Sequence, residues 1–329
     1  MHLLDIRNLT IELNTPQGWV VAVDKFSLTL QEGEIHGLVG ESGSGKSLLT
    51  QAIMGITDKR TRLKADRLNW RGEDLMSLPV KQRRALMGRE IAMIFQDPAS
   101  CLDPSKRIGS QLLEAMPVPK GTFFWQRNKV RREHAIRLLH RVGAKDHRHV
   151  MRSFPWELSE GLAQKVMIAM AIAHRPKLLI ADEPTTGLET ATAAQIFRLL
   201  SKLNQTKNVA ILLISHDLNS VARWSHKLSV LYCGQLMESG KVKSLITKPK
   251  HPYTKALLYS TPSANMSLLP KSPLDTLEGM IPPLAHLPIG CRLGPRCPYA
   301  RKECVVQPRI ATKNGHAYRC HFPLKEISE

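Results

Sequence analysis

Gly40-Glu41-Ser42-Gly43-Ser44-Gly45-Lys46-Ser47 is the stretch on which the fold turns: a glycine, four residues, then Gly-Lys-Ser. Glycines let the backbone curl with its N–H groups turned inward, and a helix starting there presents its positive end to an anion. Gly40, Ser42, Gly43, Ser44 and Gly45 would line a cradle for phosphates. Lys46 would reach the β and γ phosphates, and the Ser47 hydroxyl would ligate Mg²⁺. The pattern carries this meaning only between a strand and a helix. Both flanks comply: Glu34-Ile35-His36-Gly37-Leu38-Val39 reads as a strand and Ser47-Leu48-Leu49-Thr50-Gln51-Ala52-Ile53 as a helix.

Further along, Leu178-Leu179-Ile180-Ala181-Asp182-Glu183 is an apolar strand that ends in two carboxylates. Asp182 can hold Mg²⁺ through its water shell, which leaves Glu183 to polarise an attacking water. A third apolar run, Val209 to Ile214, leads into Ser215-His216-Asp217. A histidine at the carboxyl end of a strand faces the crevice where open α/β sheets bind ligands, so His216 can reach a γ-phosphate. Apolar runs of this kind are typical of buried parallel strands, with a helix expected from Thr192 to Leu203. Nearer the N-terminus, Leu3 to Arg7, Val20 to Val23 and Ser27 to Leu30 read as three further strands. The class is α/β.

The chain has 329 residues, of which 43% are hydrophobic and 23% charged. That composition excludes wholesale disorder. No apolar run approaches the roughly 18–20 residues of a membrane span, and Met1 to Asp5 does not read as a signal peptide. The net charge of +19 is unevenly spread. Residues 57–157 hold 22 basic against 11 acidic residues, and 241–329 hold 14 against 5. Such blocks suit an acidic polymer, an anionic membrane face or an acidic partner, or are a solvated surface. From about residue 245 the composition turns proline-rich, cysteine-bearing and irregular, which places a boundary there.

The chain resembles the ATP-binding subunits of ABC transporters. Phe95-Gln96-Asp97-Pro98 is similar to the family's Q-loop, Leu158-Ser159-Glu160-Gly161-Leu162 sits at its signature, and Thr186-Gly187-Leu188-Glu189 sits at its D-loop. The resemblance implies a P-loop ABC ATPase domain over 1–245 with a RecA-like core, an antiparallel β subdomain and a helical subdomain at about 98–165. An extension over 246–284 and a small irregular Cys-rich C-terminal domain over 285–329 would follow. It implies ATP with Mg²⁺ as ligand, Gln96 as γ-phosphate and metal sensor, Glu183 and His216 as catalytic groups, and Trp19 as the ring stacked on adenine. Ser159 and Gly161 would face the ATP of a second, homologous subunit clasped head to tail. Gln96-Asp97-Pro98 with Ser100-Cys101-Leu102-Asp103-Pro104, His251-Pro252-Tyr253-Thr254-Lys255-Ala256-Leu257, and Gly290-Cys291-Arg292 narrow the likeness to dipeptide and oligopeptide importers. Within these, Ser153-Phe154-Pro155 and the run Pro288 to Pro295 are most like a peptide transporter linked to antimicrobial-peptide resistance. Its partners would be two membrane-spanning permease subunits and, indirectly, a periplasmic substrate-binding protein. The site of action would be the cytoplasmic face of the bacterial inner membrane, with no nucleic acid expected.

Departures from the family pattern matter too. Glu160 stands where glycine is usual, Leu162 where glutamine is, and Glu189 lengthens the D-loop aspartate. A carboxylate at 160 either weakens one ATP site by repulsion or turns to solvent. Cys291, Cys297, Cys304 and Cys320 form a metal-site signal in a chain with no secretory signature. Their wide spacing and Cys297-Pro298 suit an iron–sulfur cluster better than zinc, with free thiols or a redox disulfide as the third case. The resemblance points to a [4Fe–4S] cluster, which would act as a structural staple. Cys101 and Cys233 are expected to be small core residues. Lys120 to Arg132 mixes cations with Phe123, Phe124 and Trp125, a pattern for a membrane headgroup layer, single-stranded nucleic acid or a solvated helix. Two rival functions stay open: a nucleic-acid-associated ABC ATPase, and a regulatory subunit with weak hydrolysis.

Overall fold

A computed structural model describes residues 2–118, 121–260 and 277–324. Lys120 and the middle of the expected extension, 261–276, lie outside the described residues. The chain forms two compact units, Met1–Leu78 with Leu213–Glu329, and Pro79–Leu212.

The first unit holds an antiparallel sheet whose centre is Leu4–Thr15. It pairs along its length with Gly18–Leu30, from Leu4 opposite Leu30 to Thr15 opposite Gly18, and on its other edge with Thr61–Lys64 and Arg67–Trp70. Alternating burial along Leu4–Thr15 puts Leu4, Ile6, Leu9 and Ile11 inside with Phe26 and Trp70, as expected of a half-buried strand. The two strands expected at Val20–Val23 and Ser27–Leu30 are one, Gly18–Leu30. The polar break between them is a bulge-like irregularity, with Lys25 at φ 48 and register shifts around Leu9 and Ile11.

In the same unit Ile35–Val39 is buried at every position and runs parallel to Lys227–Tyr232, with His36 opposite Lys227 and Val39 opposite Val230. Lys227–Tyr232 turns back into Gln235–Lys241. That strand pairs with His316–Tyr318, which pairs with Ala311–Lys313. The cysteine-bearing tail is therefore not set apart as a domain of its own. Its short hairpin continues a sheet of the first unit, and Arg292 and Arg319 donate to the buried carbonyls of Cys233 and Leu236. Too few apolar side chains are present in the tail for a separate core. The region after 245 is also less irregular than its composition suggests, with helices Val242–Thr247 and Pro252–Tyr259. Pro252 sits in the first turn of its helix, where it is tolerated, and His251 caps it by accepting from Tyr253 N–H at 3.1 Å.

In the second unit Ile91–Ile94 lies parallel to Leu178–Asp182, with Ile91 opposite Leu178; strand Ala210–Ser215 begins in this unit and ends in the first. The expected basic helical region appears as Ile108–Ala115, Arg127–Arg141, His147–Arg152 and Glu160–Ala171. Arg127–Arg141 buries only Ala135, Leu138 and Leu139, a narrow stripe at the helical period. Helix Thr190–Lys207 extends the expected Thr192–Leu203 at both ends. Among the described residues no helix is long and apolar enough to cross a membrane.

Candidate nucleotide site and thiol pocket

Gly40–Ser47 makes a tight loop between Ile35–Val39 and helix Lys46–Met54. Gly45 is the helix N-cap at φ 103, a backbone state open chiefly to glycine. Gly40 is required for a different reason: a Cβ there would run into the carbonyl oxygen of Leu231. Gly43 has open space where a Cβ would stand, as a ligand-facing cradle needs. The Lys46 ammonium is buried and donates to Gly40 O at 2.8 Å and Glu41 O at 3.0 Å. Those carbonyls stand in for phosphate oxygens and hold the lysine over the loop. The Ser44 carbonyl anchors the loop by accepting from Gly234 N–H at 2.8 Å.

Two residues not foreseen as part of the site hold the loop from outside. Tyr253 Oη accepts from Glu41 N–H at 2.9 Å, and Arg296 Nη1 lies 3.0 Å from Glu41 Oε2. Tyr253 stands in the His251–Leu257 stretch, whose only reading from sequence was as a family mark. Trp19 is part-exposed, and the Arg62 guanidinium lies 3.7 Å over one face of its ring. His216 is exposed at the end of Ala210–Ser215, and Asp217 caps the following helix by accepting from Ser220 N–H.

In the second unit Asp182 is buried at the tip of its strand, and Glu183 follows at φ 45. That left-handed backbone is uncommon for a residue with a long side chain. Gln96 Nε2 donates to Glu183 Oε2 at 3.5 Å and Thr186 Oγ1 donates to the same oxygen at 2.8 Å. Gln96 and Glu183 are thus brought together, and Thr186 joins them. The buried Gln164 amide donates to Pro184 O at 2.9 Å, which ties helix Glu160–Ala171 to the strand end.

Ser159 is exposed at the N-cap of that helix and makes no capping bond with its side chain. Gly161 is approached closely by Thr192. Glu160 is exposed in the first helical turn, where a carboxylate is favoured by the helix dipole. Its carboxylate lies over Gly187, where a Cβ would collide with it. Glu189 is the N-cap of Thr190–Lys207 and its side chain makes no capping hydrogen bond. Phe123, Phe124 and Trp125 are 61%, 76% and 63% exposed; Phe123 stacks on Trp125 and Phe124 meets it edge-on, so they serve no core of their own.

Cys291, Cys297, Cys304 and Cys320 line one largely enclosed pocket, together with His251, Leu293 and Phe322. Burial pushes the Cys320 thiol up to about 11, and neighbouring Cys291, Cys297 and Cys304 add to the rise. Burial raises Cys291 and Cys297 as well. The donors are soft, as an iron–sulfur group needs. Among the described residues, however, no group of three or more His, Cys, Asp or Glu side chains is arranged to hold a metal ion. The expected metal centre is therefore not seen as such; a thiol pocket stands in its place. Cys233 is buried as expected, whereas Cys101 is exposed, since its short helix buries only Pro98.

The ABC transporter family model matches residues 23–186, and the model for the oligopeptide/dipeptide transporter C-terminal region matches 237–304. The peptide transport system ATP-binding protein SapD of Salmonella typhimurium is 56% identical over 98% of both chains. The dipeptide transport ATP-binding protein DppD of Escherichia coli K12 is 43% identical over 99% of this chain and 98% of its own. A solved ATP-binding cassette, a dimer in a post-hydrolysis state bound to ADP and Pi, has a TM-score of 0.61 at 25% identity. It covers 73% of this chain and 98% of its own. With its phosphate loop, its paired Gln96 and Glu183 and a full-length likeness of this degree, the chain belongs to the ATP-binding proteins of the ABC transporter family, in the peptide transporter branch.

Proposed function

We propose that the chain binds and hydrolyses ATP to power a bacterial peptide transporter of the Sap type. The observation that carries this reading is the likeness to the Salmonella SapD protein across nearly the whole of both chains. Resistance to antimicrobial peptides is the outcome that this likeness implies.

The loop N–H groups and Lys46 take the triphosphate, with the ring of Trp19 against the base. Ser47 and Gln96 would supply ligands to Mg²⁺, and Asp182 would help to hold the ion. When bound, Mg²⁺ neutralises charge on the phosphate oxygens. Glu183 accepts the proton of the attacking water, and Gln96 and Thr186 orient its carboxylate. His216 contacts the γ-phosphate. Ser159 and Gly161 complete the site of a homologous subunit, SapF-like, in a heterodimer held by two membrane permeases on the cytoplasmic face of the inner membrane. A periplasmic binding protein delivers peptide. The exposed rings at 123–125 and the cations of the following helix face the headgroup layer. Glu160 supports a second reading, in which one of the two ATP sites is weakened.

In the tail, Cys291, Cys297, Cys304 and Cys320 would hold a [4Fe–4S] cluster, with one zinc as the second choice. Support comes from their sharing one pocket. Such a group supplies a cross-link among four chain segments, which a segment poor in apolar residues needs. Anaerobic purification with iron and sulfide analysis decides: zinc without iron replaces the cluster and keeps the staple, and no metal removes both.

The test of the main reading is ATP turnover by the purified subunit alone, with its membrane partners, and with DNA. Turnover is expected to be low alone, to rise with the partners and to ignore DNA. Full turnover by the dilute monomer, or stimulation by DNA without the partners, would overturn it.

A further inference from the structure

Glu41 is an acid inside a loop built for anions. Its carboxylate is not left to the loop: Arg296 Nη1 stands 3.0 Å from Oε2 and 3.3 Å from Oε1. The arginine is itself seated on fixed acceptors. Nε donates to Glu278 O at 3.1 Å, Nη2 to Leu277 O at 3.4 Å, and Nη1 also reaches Tyr232 Oη at 3.3 Å. Its side chain is only 10% exposed, so water screens the pair less than it would a surface ion pair. Tyr232 packs on Tyr253 with ring centroids 4.8 Å apart, and Tyr253 holds the Glu41 backbone. One loop residue is thus gripped at its N–H and at its carboxylate by side chains 212 and 255 positions later.

We propose that Arg296 is a positioning residue for the nucleotide loop, pairing with Glu41 to draw its carboxylate off the phosphate cradle and offset its charge. This deepens the nucleotide-binding reading of Gly40–Ser47 and rests on it. A guanidinium is suited to the task because it stays charged and has donors to spare: Nη1 reaches both carboxylate oxygens while Nε and Nη2 hold backbone carbonyls. Arg296 directly precedes Cys297, one of the four thiols of the adjoining pocket. Whatever orders that pocket therefore also seats the arginine, and the tail sets how well the loop binds a triphosphate.

The experiment is titration of the full-length chain with a fluorescent ATP analogue and Mg²⁺, read as affinity rather than turnover. Arg296→Met is expected to weaken binding by about tenfold, the worth of one charge-assisted contact, and to weaken ADP binding less. Adding Glu41→Gln to Arg296→Met is expected to restore most of the affinity, because the uncompensated charge is then gone. A merely structural arginine would show no such rescue. Unchanged binding by Arg296→Met, or a double variant no better than the single one, overturns the proposal. If Arg296→Met does not fold, Arg296→Lys takes its place: a partial loss that Glu41→Gln reverses supports the proposal, and an unreversed loss overturns it. Wild-type chain that binds no nucleotide, or binds it as well after Lys46→Ala, overturns the loop reading itself and this proposal with it.

Discussion

Two stretches of the chain place small and polar residues at the head of a helix, and they are built in opposite ways. Gly40–Ser47 is gripped from a distance by Gly234, Tyr253 and Arg296, and its lysine is already folded over the loop. Leu158–Gly161 leaves Ser159 and Glu160 exposed, and its firm tie, Gln164 to Pro184, lies in the helix behind them. The first follows its family pattern and the second departs from it at Glu160 and Leu162. A loop finished by its own chain is held by that chain's interior. The exposed stretch carries fewer such ties, and its residues are freer to change.

The largest effect is expected at the carboxylate end of the strand in the second unit. Glu183→Gln should lower turnover of the assembled transporter by about 100-fold or more, the usual worth of a general base, while nucleotide binding persists. Unchanged turnover in a stopped-time phosphate assay would remove Glu183 from the mechanism.

The braced half can be probed by acid. His251 is fully buried, and burial lowers its pKa to about 4, against the opposing pull of Glu238. Glu238 also accepts from the backbone N–H of Lys250 and His251 and meets His316 Nε2 at 2.5 Å. Because the folded pKa of His251 is depressed, the unfolded chain binds the extra proton between pH 6.5 and 4. Stability is then fully present above pH 6.5 and falls as pH drops through that window, by at most about 3 kcal/mol. Denaturant unfolding across that range should show the slope, and His251→Asn, which keeps a capping acceptor, should flatten it.

Glu160→Gly sharpens the contrast from the other side. Restoring the usual glycine should preserve turnover of the complex or raise it a few-fold, measured with both ATP-binding subunits present; a large loss would mean that the carboxylate over Gly187 is needed. The smallest effect is expected at Glu189→Asp. A shorter side chain can cap Thr190–Lys207 where glutamate does not, which should add about 0.5–1 kcal/mol to the second unit in thermal or urea unfolding.

What could be read ahead of the structure was what lies close together in the chain. Gly40 to Ser47 and Leu178 to Glu183 each carry strand, turn and chemistry within a few residues, so spacing alone located them. Arg296 and Tyr253 carry no such mark, since their meaning arises only when a strand pairing brings residues two hundred positions apart into contact. The bulge at Lys25 hid a continuous strand, because a polar pair inside an apolar run looks like a turn. Proline and cysteine density suggested a separate tail. Strand pairing at Glu238 and Tyr318, which composition does not report, joins it to the first unit.

The first unit is interrupted in sequence, and that has a consequence for a chain emerging from a ribosome. Ile35 is complete long before His226, whose ring accepts from it across a gap of 191 residues. At about 5–20 residues per second, this leaves the loop strand without its parallel neighbour for roughly 10–40 seconds. Arg296 arrives later still. A nascent or prematurely ended chain thus carries every letter of the phosphate motif without the partners that shape it. With Arg296 in its proposed role, high-affinity nucleotide capture is expected only late in synthesis, once the last third of the message has been translated and folded.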